Sequence, residues 1–465
     1  MKGTRTRLLR DLATDPGILI LAYPYARTWR EIPCLTVQDT WARVSPQDSA
    51  AVYVHVPFCR RKCTFCDFLA YYGRPKDEID HYIELLTQEV SDVAKTAGHV
   101  EIRTVHLGGG TPSLLSSDHL TSLLDSIGSN LSLRPDAQVT MEVFPDSFVT
   151  KQQMAEWRRA GINRLSLGFQ FFDDELKTIL NRTDYALDNL RLFQEARDVG
   201  YDDINIDLMC GLPEQSAESW HTTIIQTVNL SPTHVCVFPV SVRHPGIPLF
   251  KNQTKLPAPN KTRRMYDEAV EILIDAGYER TTRHNFVRFG FEYRYERMIA
   301  ELRPLIGLGA NSISYAKDCI YRNHSDLSRY ASAICDRYLP IRSGHIFEEP
   351  ERPHNYAVRQ IEYLSLSGSD FQRQFGLSLE SVLSSEIELL KEFGLATMVG
   401  EDLLLTENGI YFTSAVKRVF FHHGTWKRLA EMKAEDFQIE RGVLPLINPR
   451  KELPYLDPSN SLFSN

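Results

Sequence analysis

Tyr53-Val-His-Val-Pro-Phe-Cys59-Arg-Arg-Lys-Cys63-Thr-Phe-Cys66-Asp-Phe68 is the stretch on which the reading of this chain turns. Its opening residues, Val52–Val56, are rich in β-branched side chains and predict a strand. The loop that follows carries three thiols spaced C-x3-C-x2-C. Thiolates are soft ligands suited to iron–sulfur clusters. Three of them on a four-iron cluster leave one iron open to a small chelating molecule. The competing reading is zinc, which wants a fourth protein ligand. His55 is the nearest in sequence, but strand geometry is expected to direct it away from the loop.

Further along, Leu107-Gly108-Gly109-Gly110-Thr111-Pro112-Ser113 follows the next strand candidate, Arg103–Leu107. Consecutive glycines let backbone pass close to a ligand and present its N–H and C=O groups. Strands are also predicted at Gln138–Val143, Arg164–Gly168, Ile204–Leu208 and Val235–Phe238. Between them run helical patterns: Ile79, Ile83, Leu86, Val90 and Val93 form one apolar stripe, and Leu120, Leu123, Leu124 and Ile127 a second. Thr150 with Gln153 reads as a capping box, and Gly161 as the stop of that helix. Six strand–helix units in series predict an α/β fold, an incomplete (β/α)6 barrel with chemistry at the C-terminal ends of its strands.

The barrel and its extension are expected over residues 51–335, after an N-terminal extension (1–50). A C-terminal helical, winged-helix-like cap is expected over 345–440, with helices near 354–366, 384–393 and 407–420 around a hairpin, and a tail at 441–465. Five prolines in 239–260 suggest a loop over the barrel mouth, where Arg243 and His244 are placed to meet an anionic substrate or move a proton. Tyr23, Tyr25 and Trp29 suit either a barrel plug or plain packing.

The 465 residues carry a net charge of −8 and 43% hydrophobic residues, which suits large cores and gives no global basic footprint for nucleic acid. Lys417, Arg418, His422, His423, Lys427 and Arg428 nevertheless form a local basic run. No apolar run approaches the ~20 residues that cross a bilayer. Eight cysteines, only three of them clustered, fit a metal site and scattered thiols in a reducing cytoplasm. Cys210 is a candidate hydrogen-atom donor; Cys34, Cys236, Cys319 and Cys335 read as structural.

The cysteine loop, the Gly-Gly-Gly-Thr-Pro-Ser loop, Asn163-Arg-Leu-Ser-Leu-Gly-Phe-Gln170 and Asn205-Ile-Asp207-Leu-Met-Cys-Gly211-Leu-Pro213 together resemble the oxygen-independent coproporphyrinogen III oxidase-like branch of radical S-adenosylmethionine (SAM) proteins. The likeness is good over 50–240 and continues more weakly through Gly307–Ser314 into the cap. It implies a [4Fe–4S] cluster on Cys59, Cys63 and Cys66, whose open iron chelates SAM. It places Tyr53 beside cluster and SAM, and Gly109 and Gly110 at the methionine end. Glu142 would meet the SAM amino group, Gln170 and Arg182 the ribose and carboxylate side, and Asp207 the ribose hydroxyls. A second SAM is implied near Gly110 and Thr111. A reducing protein such as flavodoxin or ferredoxin is the implied electron donor.

Within that branch the oxidase usually reads Cys-Gly-Cys where this chain has Cys66-Asp67-Phe68. The haem chaperones share Cys-Asp-Phe but typically begin almost at the first strand. Methyltransferases and cyclopropanases tolerate both the tripeptide and the N-terminal extension. The expectation is therefore methyl or methylene transfer from a second SAM to an sp2 carbon of a natural-product intermediate. The alternative is a haem chaperone or oxidase acting on a tetrapyrrole. Neither nucleic acid nor a membrane is expected as a partner.

Overall fold

The computed structural model describes residues 22–66, 68–240 and 256–431. Arg243, His244, Asp67 and the 441–465 tail lie outside the described residues.

All six predicted strands form, each longer than its apolar run: β1 (Ser49–Val56), β2 (Glu101–Gly109), β3 (Ser132–Val143), β4 (Arg164–Gln170), β5 (Asp203–Cys210) and β6 (His234–Pro239). They lie side by side in chain order, every neighbouring pair parallel. Among the described residues the sheet is open, as an incomplete barrel requires. A seventh parallel strand, β7 (Leu305–Leu308), adds to β1. Antiparallel strands extend both edges to twelve in all, Ile313–Ala316, Cys319–Asn323 and Ile341–Ile346 beyond β7, Asn285–Arg288 and Tyr278–Arg280 beyond β6.

The helices follow their apolar periodicity. In α1 (Lys76–Ala97), Ile83, Leu86, Val90 and Val93 are buried, with Ile79 partly so. In α2 (Ser117–Asn130), Leu120, Leu123, Leu124 and Ile127 are all buried. Thr150 and Gln153 form the reciprocal capping box of α3 (Lys151–Arg159), and Gly161 leaves the helix at φ +108°.

A second hydrophobic cluster belongs to the C-terminal helices. There α4 (Leu379–Glu392) packs beside the hairpin Ala396–Val399 and Asp402–Leu405, which turns at Gly400 with φ +62°; Ser365–Leu366 makes a third strand. The single helix expected at 407–420 is broken at Phe412 into two short ones, and α5 (His423–Glu431) follows. The basic run is not a surface patch. Lys417 and Arg418 are buried, Lys417 pairs with Glu362, and Arg428 pairs with Glu351 at 2.8 Å. Tyr23, Tyr25 and Trp29 join this second cluster instead of plugging the sheet: the Tyr23 ring lies 4.8 Å from Phe421, and its hydroxyl accepts from His422 N–H at 2.9 Å.

One buried polar strut joins α1 to the strands beyond β1. Glu89 accepts from Gly309 N–H at 2.7 Å, Tyr330 O–H at 2.6 Å and Asn323 Nδ2 at 2.6 Å. Burial raises its carboxyl from 4.5 to about 7, against the pull of those three donors. The folded state therefore binds a proton that the unfolded chain has lost between those values, and Glu89 lowers stability as pH rises through the interval. Denaturant titrations of wild type and Glu89→Gln from pH 4.5 to 7 are expected to differ in slope, the wild type losing up to about 3 kcal/mol more across it. Equal slopes would show that Glu89 does not titrate there.

Candidate active site

The site forms where β1 and β2 end together. Parallel pairing sets Tyr53 opposite His106 and Val56 opposite Gly109. Gly110 N–H then donates to Val56 O at 2.8 Å, pressing the glycine loop against the start of the cysteine loop. A Cβ on Gly110 would stand 2.6 Å from Phe58 O; one on Gly109 (φ +113°) would stand 2.7 Å from the His55 ring; one on Gly108 would stand 2.7 Å from Glu142 Oε1. Three successive glycines are needed because three different neighbours fill the space a side chain would take.

The cysteine loop leaves β1 at Phe58 and returns at Tyr71–Tyr72, which pairs with Phe58–Cys59 in a two-residue parallel ladder. Cys59, Cys63 and Cys66 are partly buried and free of disulfides. Thr111 Oγ1 donates to Cys59 Sγ at 3.3 Å, and Arg182 Nη1 approaches Cys63 Sγ at 4.0 Å. Desolvation raises the Cys59 thiol to about 11 and raises Cys63 as well, with the Thr111 bond and the Arg182 charge pulling the other way. Neutral thiols are favoured there unless a metal takes them as thiolates. Among the described residues no three His, Cys, Asp or Glu side chains converge on one ion. Three thiols on one loop suit a [4Fe–4S] cluster, on which each thiolate meets its own iron. Donors aimed at the sulfurs fit the same group.

Polar side chains line one row across the strand ends, because pairing in register brings them to the same face. Tyr53 lies opposite His106, Glu142 opposite Ser166, Ser166 opposite Asn205, and Asp207 opposite Cys236. Glu142 accepts from Gly109 N–H at 3.2 Å and from His106 Nε2 at 3.0 Å, and Tyr293 O–H meets His106 Nδ1 at 3.0 Å. The Glu142 side chain stays 40% exposed, so part of its carboxylate remains available. Asp207 accepts from Ser166 O–H at 3.0 Å and Asn205 Nδ2 at 2.8 Å; desolvation raises it even so. Cys236, read as merely structural, continues this network by donating to Asn205 Oδ1 at 3.3 Å and to Asn285.

Gln170 ends β4 at φ +65°, a left-handed conformation that a non-glycine residue adopts at some cost. Arg182 is committed beyond Cys63: Nη2 donates to Gly168 O at 2.6 Å and Nε to the fully buried Asp184 at 2.8 Å. It anchors the cysteine loop to the end of β4. Cys210 is fully buried, its thiol raised by desolvation, and sits in the main core. His55 does not point away from the loop as expected. It shares a face with Tyr53, whose hydroxyl meets His55 Nδ1 at 3.0 Å, and burial lowers it to about 4. The i, i+2 spacing of Tyr53 and His55 was a legible signal of that shared face. Tyr293 and Tyr295, 5.9 and 4.8 Å from the His106 ring, come from a distant segment, and no local pattern marks them.

The radical SAM superfamily profile matches residues 53–225, the span from Tyr53 through the row just described. That span is a radical SAM domain, and a domain of this class implies a [4Fe–4S] cluster and SAM. Its relatives include the haem chaperone HemW of Bacillus subtilis, 27% identical over 366 residues that span 77% of this chain and 96% of the relative. The oxygen-independent coproporphyrinogen III oxidase of Escherichia coli is 26% identical over 388 residues, 79% of this chain and 83% of the relative. The fold matches the solved structure of Escherichia coli coproporphyrinogen III oxidase (HemN) with a TM-score of 0.78 at 24% identity, over 86% of this chain and 96% of that one. Among the described residues no helix is long and apolar enough to cross a membrane.

Gly110→Ala is expected to lower cluster content after anaerobic reconstitution severalfold and to destabilise the fold by about 1–3 kcal/mol. Gly128→Ala, with open space around its Cβ position, should do neither. Cluster absorbance and thermal denaturation of the two variants, side by side, check both statements.

Proposed function

We propose that the chain is a tetrapyrrole-binding radical SAM protein of the haem-chaperone kind, able to cleave SAM reductively beside its bound tetrapyrrole. The observation that carries this reading is the homology to haem chaperones and coproporphyrinogen III oxidases through nearly the whole length of a chaperone relative. Methyl transfer, the expectation from sequence, leaned on the N-terminal extension. Residues 22–42 instead contribute aromatics to the cap core and a helix, Cys34–Ala42, which gives them a packing role independent of any second SAM. Cys66-Asp67-Phe68 lacks the further cysteine of the oxidases, which favours the chaperone side.

Cys59, Cys63 and Cys66 hold the cluster in this reading, and when bound it supplies the electron that breaks a carbon–sulfur bond of SAM. Gly109 and Gly110 admit the methionine end, where side chains would collide. Glu142, fixed by His106 and Gly109, offers its free carboxylate edge to an ammonium. Asp207, pre-ordered by Ser166 and Asn205, suits the ribose diol, and Gln170 and Tyr53 flank the same face. Arg182 holds the cysteine loop. Thr111 is engaged with Cys59, and a second SAM next to it remains part of the proposal only as a family expectation.

Reconstituted, reduced protein is expected to bind haem stoichiometrically and to form 5′-deoxyadenosine from SAM. Absorbance titration and mass spectrometry of SAM products read both. S-Adenosylhomocysteine as a second product would return methyl transfer, and carbon dioxide released from coproporphyrinogen would identify an oxidase. His106→Phe keeps a ring against Tyr53 and Tyr295 but frees Glu142, and is expected to weaken SAM binding about 10-fold in equilibrium titration.

A further inference from the structure

Behind the cysteine loop lies a group of buried charges that do not balance. Lys177, on the short helix Asp174–Ile179, and Asp184, just ahead of the helix Ala186–Asp198, have side chains 1% and 0% exposed. Lys177 Nζ lies 2.5 Å from Asp184 Oδ2, and Arg182 Nε lies 2.8 Å from Asp184 Oδ1. Two cations thus share one carboxylate, and one positive charge is left over inside the protein. The Arg182 side chain is 3% exposed and its guanidinium packs 4.6 Å from the Phe144 ring centroid, so little water screens it.

Folding alone does not call for that excess. A pair of Arg182 with Asp184 would already be neutral, and an unmatched buried cation costs stability. Two further acids nearby are otherwise placed: Asp146 is engaged by Arg60 at 3.5 Å, and Asp174 is exposed and accepts from Ala186 N–H at 2.7 Å. What the excess charge faces is the cysteine loop. Thr64 N–H donates to Leu180 O at 3.1 Å, Asn181 Nδ2 donates to Lys62 O at 2.8 Å, and Arg182 Nη1 stands 4.0 Å from Cys63 Sγ. A [4Fe–4S] core on three thiolates is anionic and gains one more negative charge on reduction. Buried positive charge at its edge therefore favours the reduced form.

We propose that Lys177 is a positioning residue for the cluster: by occupying one edge of Asp184 it leaves the Arg182 charge directed at Cys63, and so sets how readily the cluster is reduced. On reduction one electron passes from an external low-potential donor into the iron–sulfur core; no bond is made or broken, and no proton moves within the triad. The proposal rests on the radical SAM assignment and is independent of the tetrapyrrole reading, because it requires no substrate.

The test compares reconstituted wild type, Lys177→Met, Lys177→Gln and Lys177→Arg at equal iron content and without SAM. Each is poised with dithionite and viologen mediators, and the reduced fraction is read by electron paramagnetic resonance. At the poise where wild type is half reduced, Lys177→Met and Lys177→Gln are each expected to show a reduced-to-oxidised ratio about 10-fold lower, the effect of one charge screened by an effective dielectric of ~20. Lys177→Arg, which restores the charge, should come within about threefold of wild type. Lys177→Gln keeps a hydrogen-bond donor for Asp184 and serves if Lys177→Met fails to take up cluster. A purely structural role would cost cluster content without moving the ratio. Ratios in the uncharged variants equal to wild type, loss of cluster from both of them, or an equal fall in Lys177→Arg would overturn the proposal. Wild type that takes up no cluster would overturn the radical SAM assignment beneath it, and the proposal with it.

Discussion

The hydrogen bond from Gly110 N–H to Val56 O, 2.8 Å long, is the contact on which the rest of the site depends. It closes the parallel pairing of β1 with β2 at the end where both strands release their loops. Because nothing but hydrogen projects from Gly108, Gly109 and Gly110, the glycine loop can lie against Phe58, His55 and Glu142 at the same time. The cysteine loop is held from the other side by Arg182, which reaches Gly168 O and Asp184. Backbone pairing thus fixes where the thiols stand, and a buried ion network keeps them there. Donors supplied by the scaffold, without reorganisation, are what a cluster site needs.

From that corner the sheet register distributes the remaining chemistry. Tyr53, His106, Glu142, Ser166, Asn205, Asp207 and Cys236 fall on one face because each strand is paired with the next at a defined offset. A one-residue slip of any strand would turn its member of the row away. Hydrogen bonds between these side chains tie them further, so that Glu142 and Asp207 are pre-oriented before any ligand arrives. Groups held in that way lose little entropy on binding.

The cap and the N-terminal segment serve the same end by different means. Tyr23, Tyr25 and Trp29 share a hydrophobic cluster with the C-terminal helices, so the two ends of the described chain stabilise one another. Lys417 is buried with the cap and pairs there with Glu362, so the charge it carries inward is met by a carboxylate.

Much of this was determined by local sequence. Strand and helix identity followed from periodicities of two and 3.6, which depend only on which residues face a core. The capping box at Thr150, the stop at Gly161 and the C-x3-C-x2-C triplet are equally local, since each concerns residues within a few positions of one another. Tertiary structure decided what depends on distant partners. Leu305–Leu308 became a seventh parallel strand because the edge of β1 was open to it. The basic run at 417–428 was drawn inward by Glu362 and Glu351, which no local pattern links to it. Tyr293, far in sequence from every motif, came to orient His106 and through it Glu142. Periodicity records which side of an element is apolar; it does not record which element comes to cover that side, and that pairing is settled only when the chain closes on itself.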